Sequence, residues 1–176
     1  MRIIDDFLDH DDFKNIQKLL LGAEFPWFYN SGINYLEDTP QTPNPYSLMD
    51  FQFVHTFYVS KGGYETVHSG FFDSLLPILN KLPIKVLYRI KANLLTPTDE
   101  TRVSGFHIDP PDATYKLTTA IFYLNTNNGY TQFKDREKKV ESIANRMVTF
   151  PSQLLHSGTS CTDQKTRVVI NLNYLS

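Results

Sequence analysis

Arg167-Val168-Val169-Ile170-Asn171-Leu172-Asn173-Tyr174 carries two different faces on one short stretch. In an extended chain Val168, Ile170, Leu172 and Tyr174 fall on one side, and Arg167, Val169, Asn171 and Asn173 on the other. Residues 85–94 repeat the pattern, with Val86, Tyr88, Ile90, Ala92 and Leu94 alternating against Lys85, Leu87, Arg89, Lys91 and Asn93. Two readings of the polar face stay open. It faces water, as in a one-sided antiparallel sheet, or it lines the polar interior of a barrel whose apolar face lies under helices. The second reading points Arg167 inward and makes Asn93, Asn171 and Asn173 candidates to line a site.

Working outward, strands are expected at 51–59, 85–95, 102–107, 115–124, 130–133, 138–143, 146–150, 154–159 and 166–174. Asn127-Asn128-Gly129 reads as a tight turn between two of them. Upstream, Phe13, Ile16, Leu19 and Leu20 recur at helical spacing behind Asp11 and Asp12, and Gly22 follows, which predicts a helix over 10–22. A second short helix is expected over 70–82, with Pro77 inside it. The proline-rich stretch 26–50 reads as a long irregular loop, a length that is often functional. The expected fold is mainly β with flanking helices: a double-stranded β-helix, or jelly roll, with N-terminal helices packed on one sheet. One domain is expected over 1–176, helical and loop-rich over 1–84, with the jelly-roll core over 85–176.

Composition narrows the class. The 176 residues are 41% apolar and 20% charged, as in ordinary globular proteins. A net charge of −2 argues against non-specific binding to nucleic acid. The single cysteine, Cys161, excludes an internal disulfide framework and gives no thiolate metal site. No apolar run reaches membrane-spanning length, and Met1–Asp6 lacks the apolar core of a signal peptide. A soluble, cytoplasmic protein is expected, without a membrane partner and with no oligomeric state implied. His10, His55 and His68 read as structural histidines, Cys161 as a passive thiol, and the charged run Lys134–Lys139 as a solvated hairpin.

His107-Ile108-Asp109 is the chemically informative segment. An imidazole and a carboxylate two residues apart share a face of an extended chain, and Pro110-Pro111 keeps the exit extended. By itself such a pair is more simply a histidine and an aspartate satisfying loop hydrogen bonds. His156 adds a second imidazole from a later strand, and Arg167 opens the last strand. Two histidines and one carboxylate on one side of an octahedral ion, with open positions opposite, suit non-haem Fe(II). Arg167 supplies a fixed cation for a carboxylate that is not bound to the metal.

The ordered set His107-Ile-Asp-Pro-Pro, Thr118-Thr119-Ala-Ile-Phe-Tyr-Leu-Asn125, Gly129-Tyr-Thr-Gln-Phe133, Asn145-Arg-Met-Val-Thr-Phe150, His156 and Arg167–Tyr174 resembles the 2-oxoglutarate and Fe(II)-dependent dioxygenases. The likeness is greatest to their prolyl-hydroxylase-like branch, and Ile3-Ile4-Asp5-Asp6-Phe7-Leu8 resembles that branch's openings. The resemblance implies a metal held by His107, Asp109 and His156, with Fe(II), 2-oxoglutarate and O2 as the cofactor set. It also implies that Arg167 pairs with the C5 carboxylate of 2-oxoglutarate, assisted by the Tyr123 hydroxyl, with Asn93 near the co-substrate. Two positions depart from the pattern: Val169 where relatives often carry a hydroxyl residue, and Asn128-Gly129 in place of a double glycine. The implied function is hydroxylation of a protein, peptide or amino-acid-like substrate, with proline among the implied targets, with release of succinate and CO2, and with no catalytic residue beyond the metal centre. The alternatives are hydroxylation or demethylation of a nucleobase by the same chemistry, and a non-catalytic jelly-roll binding module.

Overall fold

The computed structural model describes residues 1–33, 51–61, 63–110, 116–134 and 136–176. Most of the expected loop 26–50, the expected start of a strand at 115, Pro111, and Asp135 of the charged run lie outside the described residues. No helix among the described residues is long and apolar enough to cross a membrane.

The strands are β1 (Arg2–Ile4), β2 (Phe28–Asn30), β3 (Gln52–Lys61), β4 (Tyr64–His68), β5 (Val86–Leu95), β6 (Thr118–Tyr123), β7 (Tyr130–Phe133), β8 (Arg136–Glu141), β9 (Arg146–Pro151), β10 (His156–Gly158) and β11 (Arg167–Leu175). The helices are α1 (His10–Leu20) and α2 (Leu76–Leu79), the latter preceded by a 3-10 turn, Phe72–Leu75. A large antiparallel sheet runs β1-β9-β6-β11-β5-β3-β2, with β4 attached to β3; a small one runs β10-β7-β8. The expected jelly roll is the fold observed. Strands from the first 84 residues join the same sheet as the later core strands.

β11 decides the arrangement. It lies between β5 and β6, with Asn171 opposite Lys91 on one side and Ile121 on the other. Val168, Ile170, Leu172 and Tyr174 enter an apolar core with Phe13, Ile16 and Leu20 of α1 and with Leu75 and Ile78. Phe122 of β6 is fully buried there, its ring 6.1 Å from Phe7 and 6.2 Å from Phe13. Val169 belongs to a second core on the other face of the sheet, with Ile121, Tyr123, Phe133, Val140, Val148 and Phe150. The polar face of β11 therefore looks inward, between the sheets.

Several local expectations are corrected. The helix expected over 70–82 is a 3-10 turn and one α-turn, because Pro77 has no N–H for a continuous helical ladder. The strand expected over 102–107 is two isolated bridges, Val103 to Thr159 and His107 to His156. The spacing is one residue longer on the first side, so the chain bulges between the bridges, a device that re-aims side chains next to a site. Asn127-Asn128-Gly129 does not close a hairpin, since β6 and β7 lie in different sheets. A Cβ on Gly129 would stand 2.7 Å from Arg167 Cδ and 2.8 Å from the Ser160 carbonyl, so close approach requires glycine there.

The N-terminal segment is pinned by Asn145, which adopts a left-handed φ of 63°. Its amide accepts from Leu8 N–H at 2.9 Å and donates to the Leu8 carbonyl at 2.8 Å, while its own carbonyl accepts from Phe7 N–H. Asn145→Gly keeps the backbone conformation but orphans both Leu8 groups. We expect it to lower stability by about 2 kcal/mol, measured by urea unfolding; an unchanged midpoint would show that the clamp contributes nothing.

Candidate metal centre

His107, Asp109 and His156 each offer a ligand atom, and these atoms all lie within 4.8 Å of one another. His107 and His156 are brought together by reciprocal backbone bonds, His107 N–H to His156 O at 2.9 Å and the reverse at 3.0 Å. His156 Nδ1 lies 3.0 Å from the Leu154 carbonyl and His107 Nδ1 3.2 Å from the Gly105 carbonyl. A carbonyl can only accept, so both rings carry the proton on Nδ1 and present the Nε2 lone pair.

Asp109 is held on every side. Its backbone carbonyl accepts from Asn173 Nδ2 and from the Thr119 hydroxyl, each at 3.2 Å. Arg89 donates to its Oδ1 at 2.7 Å and is itself fixed by a bond from Nε to Asn173 Oδ1. The second carboxylate oxygen is left for a metal. Burial opposes ionisation of this carboxyl, but Arg89 and the two imidazoles outweigh it and hold it below the usual range. Burial and the neighbouring His107 lower the His156 imidazole to about 4. At neutral pH the His156 imidazole is therefore neutral, and with His107 and the Asp109 carboxylate it makes up the donor set that suits Fe(II).

The centre opens into a cavity of about 220 Å³ lined by Asn30, Gln52, Arg89, Lys91, Asn93 and Arg167, among others. Arg167 is 3% exposed. It donates from Nε to Ser142 Oγ at 2.9 Å and, more weakly, to the Tyr130 carbonyl and Thr131 Oγ1 at 3.4 Å. No carboxylate pairs with it among the described residues. The Tyr123 ring lies under the guanidinium at 5.8 Å, and its hydroxyl donates to Thr131 Oγ1 at 2.7 Å. Thr131, not Tyr123, lines the cavity. Asn93 also lines it, its amide joined to Gln52 and Asn171. Sequence reasoning singled out Asn173 as a lining residue, whereas it works behind Asp109. Arg89, Lys91, Thr131 and Ser142 were missed. The alternating polar face of 85–94 was the available signal for the first two.

No family model and no curated protein matches the chain. Solved structures match in fold. A prolyl hydroxylase from Trichoplax adhaerens, in complex with a hypoxia inducible factor oxygen degradation domain peptide fragment, has a TM-score of 0.64 at 14% identity, over 99% of this chain and 82% of that one. An oxidoreductase of the 2OG-Fe(II) oxygenase family from Burkholderia pseudomallei has a TM-score of 0.68 at 11% identity, over 98% and 84%. The non-heme alpha ketoglutarate dependent epimerase SnoN from nogalamycin biosynthesis has a TM-score of 0.63 at 14% identity, over 99% and 76%. The chain has the fold of the 2OG-Fe(II) oxygenases, with prolyl hydroxylases among its structural neighbours.

The lowered His156 value carries a sign for stability. Below about 6.5 the unfolded chain takes up a proton that the folded, metal-free protein refuses until about 4. Stability should therefore fall as pH drops through that window, by about 3 kcal/mol, and be fully present above it. His156→Asn should flatten this part of the slope in urea unfolding of metal-free protein. An equal slope in the variant would place the titrating group elsewhere.

Proposed function

We propose that this chain is an Fe(II)- and 2-oxoglutarate-dependent oxygenase acting on a protein, peptide or amino-acid-like substrate. The observation that carries the reading is the presence, in one cavity, of the His107–Asp109–His156 donor set and a buried Arg167 with no acid partner among the described residues. His107, Asp109 and His156 are the residues that would hold the iron. With 2-oxoglutarate and O2, bound iron would supply the oxidant for substrate C–H hydroxylation, releasing succinate and CO2.

The rest of the work falls to the protein. Arg167 is the cation for the far carboxylate of 2-oxoglutarate, and an arginine–carboxylate pair is among the stronger polar contacts. Ser142 and Thr131 orient the guanidinium, and Tyr123 supports it through Thr131. Asn93 borders the same space. Arg89 keeps Asp109 ionised and aimed, as outer contacts of metal ligands generally do. No side chain is required as a general acid or base. The peptide bound to the Trichoplax prolyl hydroxylase supports a polypeptide substrate, as does this chain's net charge of −2.

Succinate release with Fe(II) and 2-oxoglutarate should be stimulated by proline-containing peptides. Stimulation by methylated oligonucleotides alone, suppressed by salt, would contradict the substrate assignment. Arg167→Ala should weaken 2-oxoglutarate binding by about a hundredfold or more while sparing Fe(II) affinity, and Tyr123→Phe should be milder. Equal loss of iron binding in both variants would show their roles to be misassigned.

A further inference from the structure

Two unsatisfied groups lie opposite each other across the β5–β11 pair at the cavity wall, outside both the metal set and the Arg167 end. Lys91 of β5 lines the space and, among the described residues, makes no hydrogen bond or ion pair. Directly across the strand pair, Asn171 of β11 has a buried Oδ1 with no partner. The orientation of that amide is dictated by a relay that starts at groups which can only accept. Gln52 Nε2 donates to the carbonyls of Gly32 and Ile33, leaving its Oε1 to accept from Asn93 Nδ2. Asn93 Oδ1 then accepts from Asn171 Nδ2. Flipping Asn171 would set oxygen against oxygen, so its Oδ1 is fixed as a buried acceptor across the strand pair from Lys91, closed off from solvent.

Charge adds a second argument. The described lining residues hold three cations, Arg89, Lys91 and Arg167, against one carboxylate, Asp109. The two negative charges of 2-oxoglutarate would cancel the two positive charges of Fe(II) and leave this excess untouched. Lys91 also lies four residues along β5 from Leu95, the partner of Arg167 across the ladder. That separation is roughly 13 Å, toward the end of the cavity away from the far carboxylate of 2-oxoglutarate. An unpaired, half-buried ammonium close to Arg89 is unfavourable, and a ligand anion would offset that cost.

We propose that Lys91 is the substrate-recognition residue, selecting a substrate that carries a carboxylate. The carboxylate pairs with the Lys91 ammonium, toward the end of the cavity away from Arg167. This inference rests on the oxygenase reading and names the substrate's chemistry within it. Burial and the nearby Arg89 lower the Lys91 ammonium to about 8, so it remains mostly charged at neutral pH.

The test uses the full chain loaded with Mn(II) and 2-oxoglutarate, which binds ligands without turning over. Calorimetry compares L-proline and L-leucine with their amides, and a peptide carrying one glutamate with its glutamine twin. The free acids report a main-chain carboxylate and the peptide pair a side-chain one. In at least one pair the acid should bind about tenfold tighter or more. Lys91→Met should abolish that preference, and Lys91→Arg should retain it. Equal affinity within every pair, no binding of any acid at millimolar concentration, or a preference that survives Lys91→Met would overturn the proposal. So would a loss of 2-oxoglutarate affinity in Lys91→Met, because Lys91 would then serve the co-substrate. Failure of Mn(II) and 2-oxoglutarate to bind wild-type protein would instead sink the oxygenase reading itself.

Discussion

A guanidinium held between two β-sheets, with no acid to neutralise it among the described residues, constrains everything around it. Removing one partner of a buried charge pair costs about 3–5 kcal/mol, so an arginine buried there without a protein acid among the described residues needs compensation. The chain supplies it in neutral pieces: the Ser142 hydroxyl, the Tyr130 carbonyl, the Thr131 hydroxyl and the face of Tyr123. Gly129 is bare because the arginine stem passes where its Cβ would be. These contacts orient Arg167 without cancelling its charge, which remains available to an anion in the cavity.

The same economy governs the metal centre. A large sheet with an apolar core on one face can bury polar residues on the other only if each finds a partner. Asn173 meets this demand and also locates Asp109, bonding to its carbonyl and to the arginine that holds its carboxylate. Thr119 from the next strand converges on the same carbonyl. The imidazoles are oriented by main-chain carbonyls close to them in sequence, Gly105 and Leu154. The ligands are thus aimed by the fold before any ion arrives, the condition for a metal site of defined geometry.

Strands long enough to show alternation were legible in the sequence. β3, β5, β7, β9 and β11 fall where the pattern predicts them, because one face is apolar and the other is not. β1 and β2, at three residues each, are too short for a period to register. β4 is exposed along its whole length at the sheet margin and carries no burial pattern. The segment around His107 was misread as a strand because its pairing is interrupted by a bulge. The convergence of His107, Asp109, His156 and Arg167 on one cavity was legible because their order along the chain is distinctive. Arg89 and Lys91 were not, since a charged residue on an alternating strand reads equally well as solvent-facing. Only the sheet's position, closed over by β10-β7-β8, turns that face inward.

On the proposed function the triad and Arg167 are two halves of one site, so metal and co-substrate should bind interdependently. The direct measurement is calorimetric titration of 2-oxoglutarate into the anaerobic protein with and without Fe(II). The account predicts one metal per chain and an affinity for 2-oxoglutarate that rises about tenfold or more when the metal is present. Equal affinity in both titrations, or metal binding that survives His156→Ala undiminished, would contradict it.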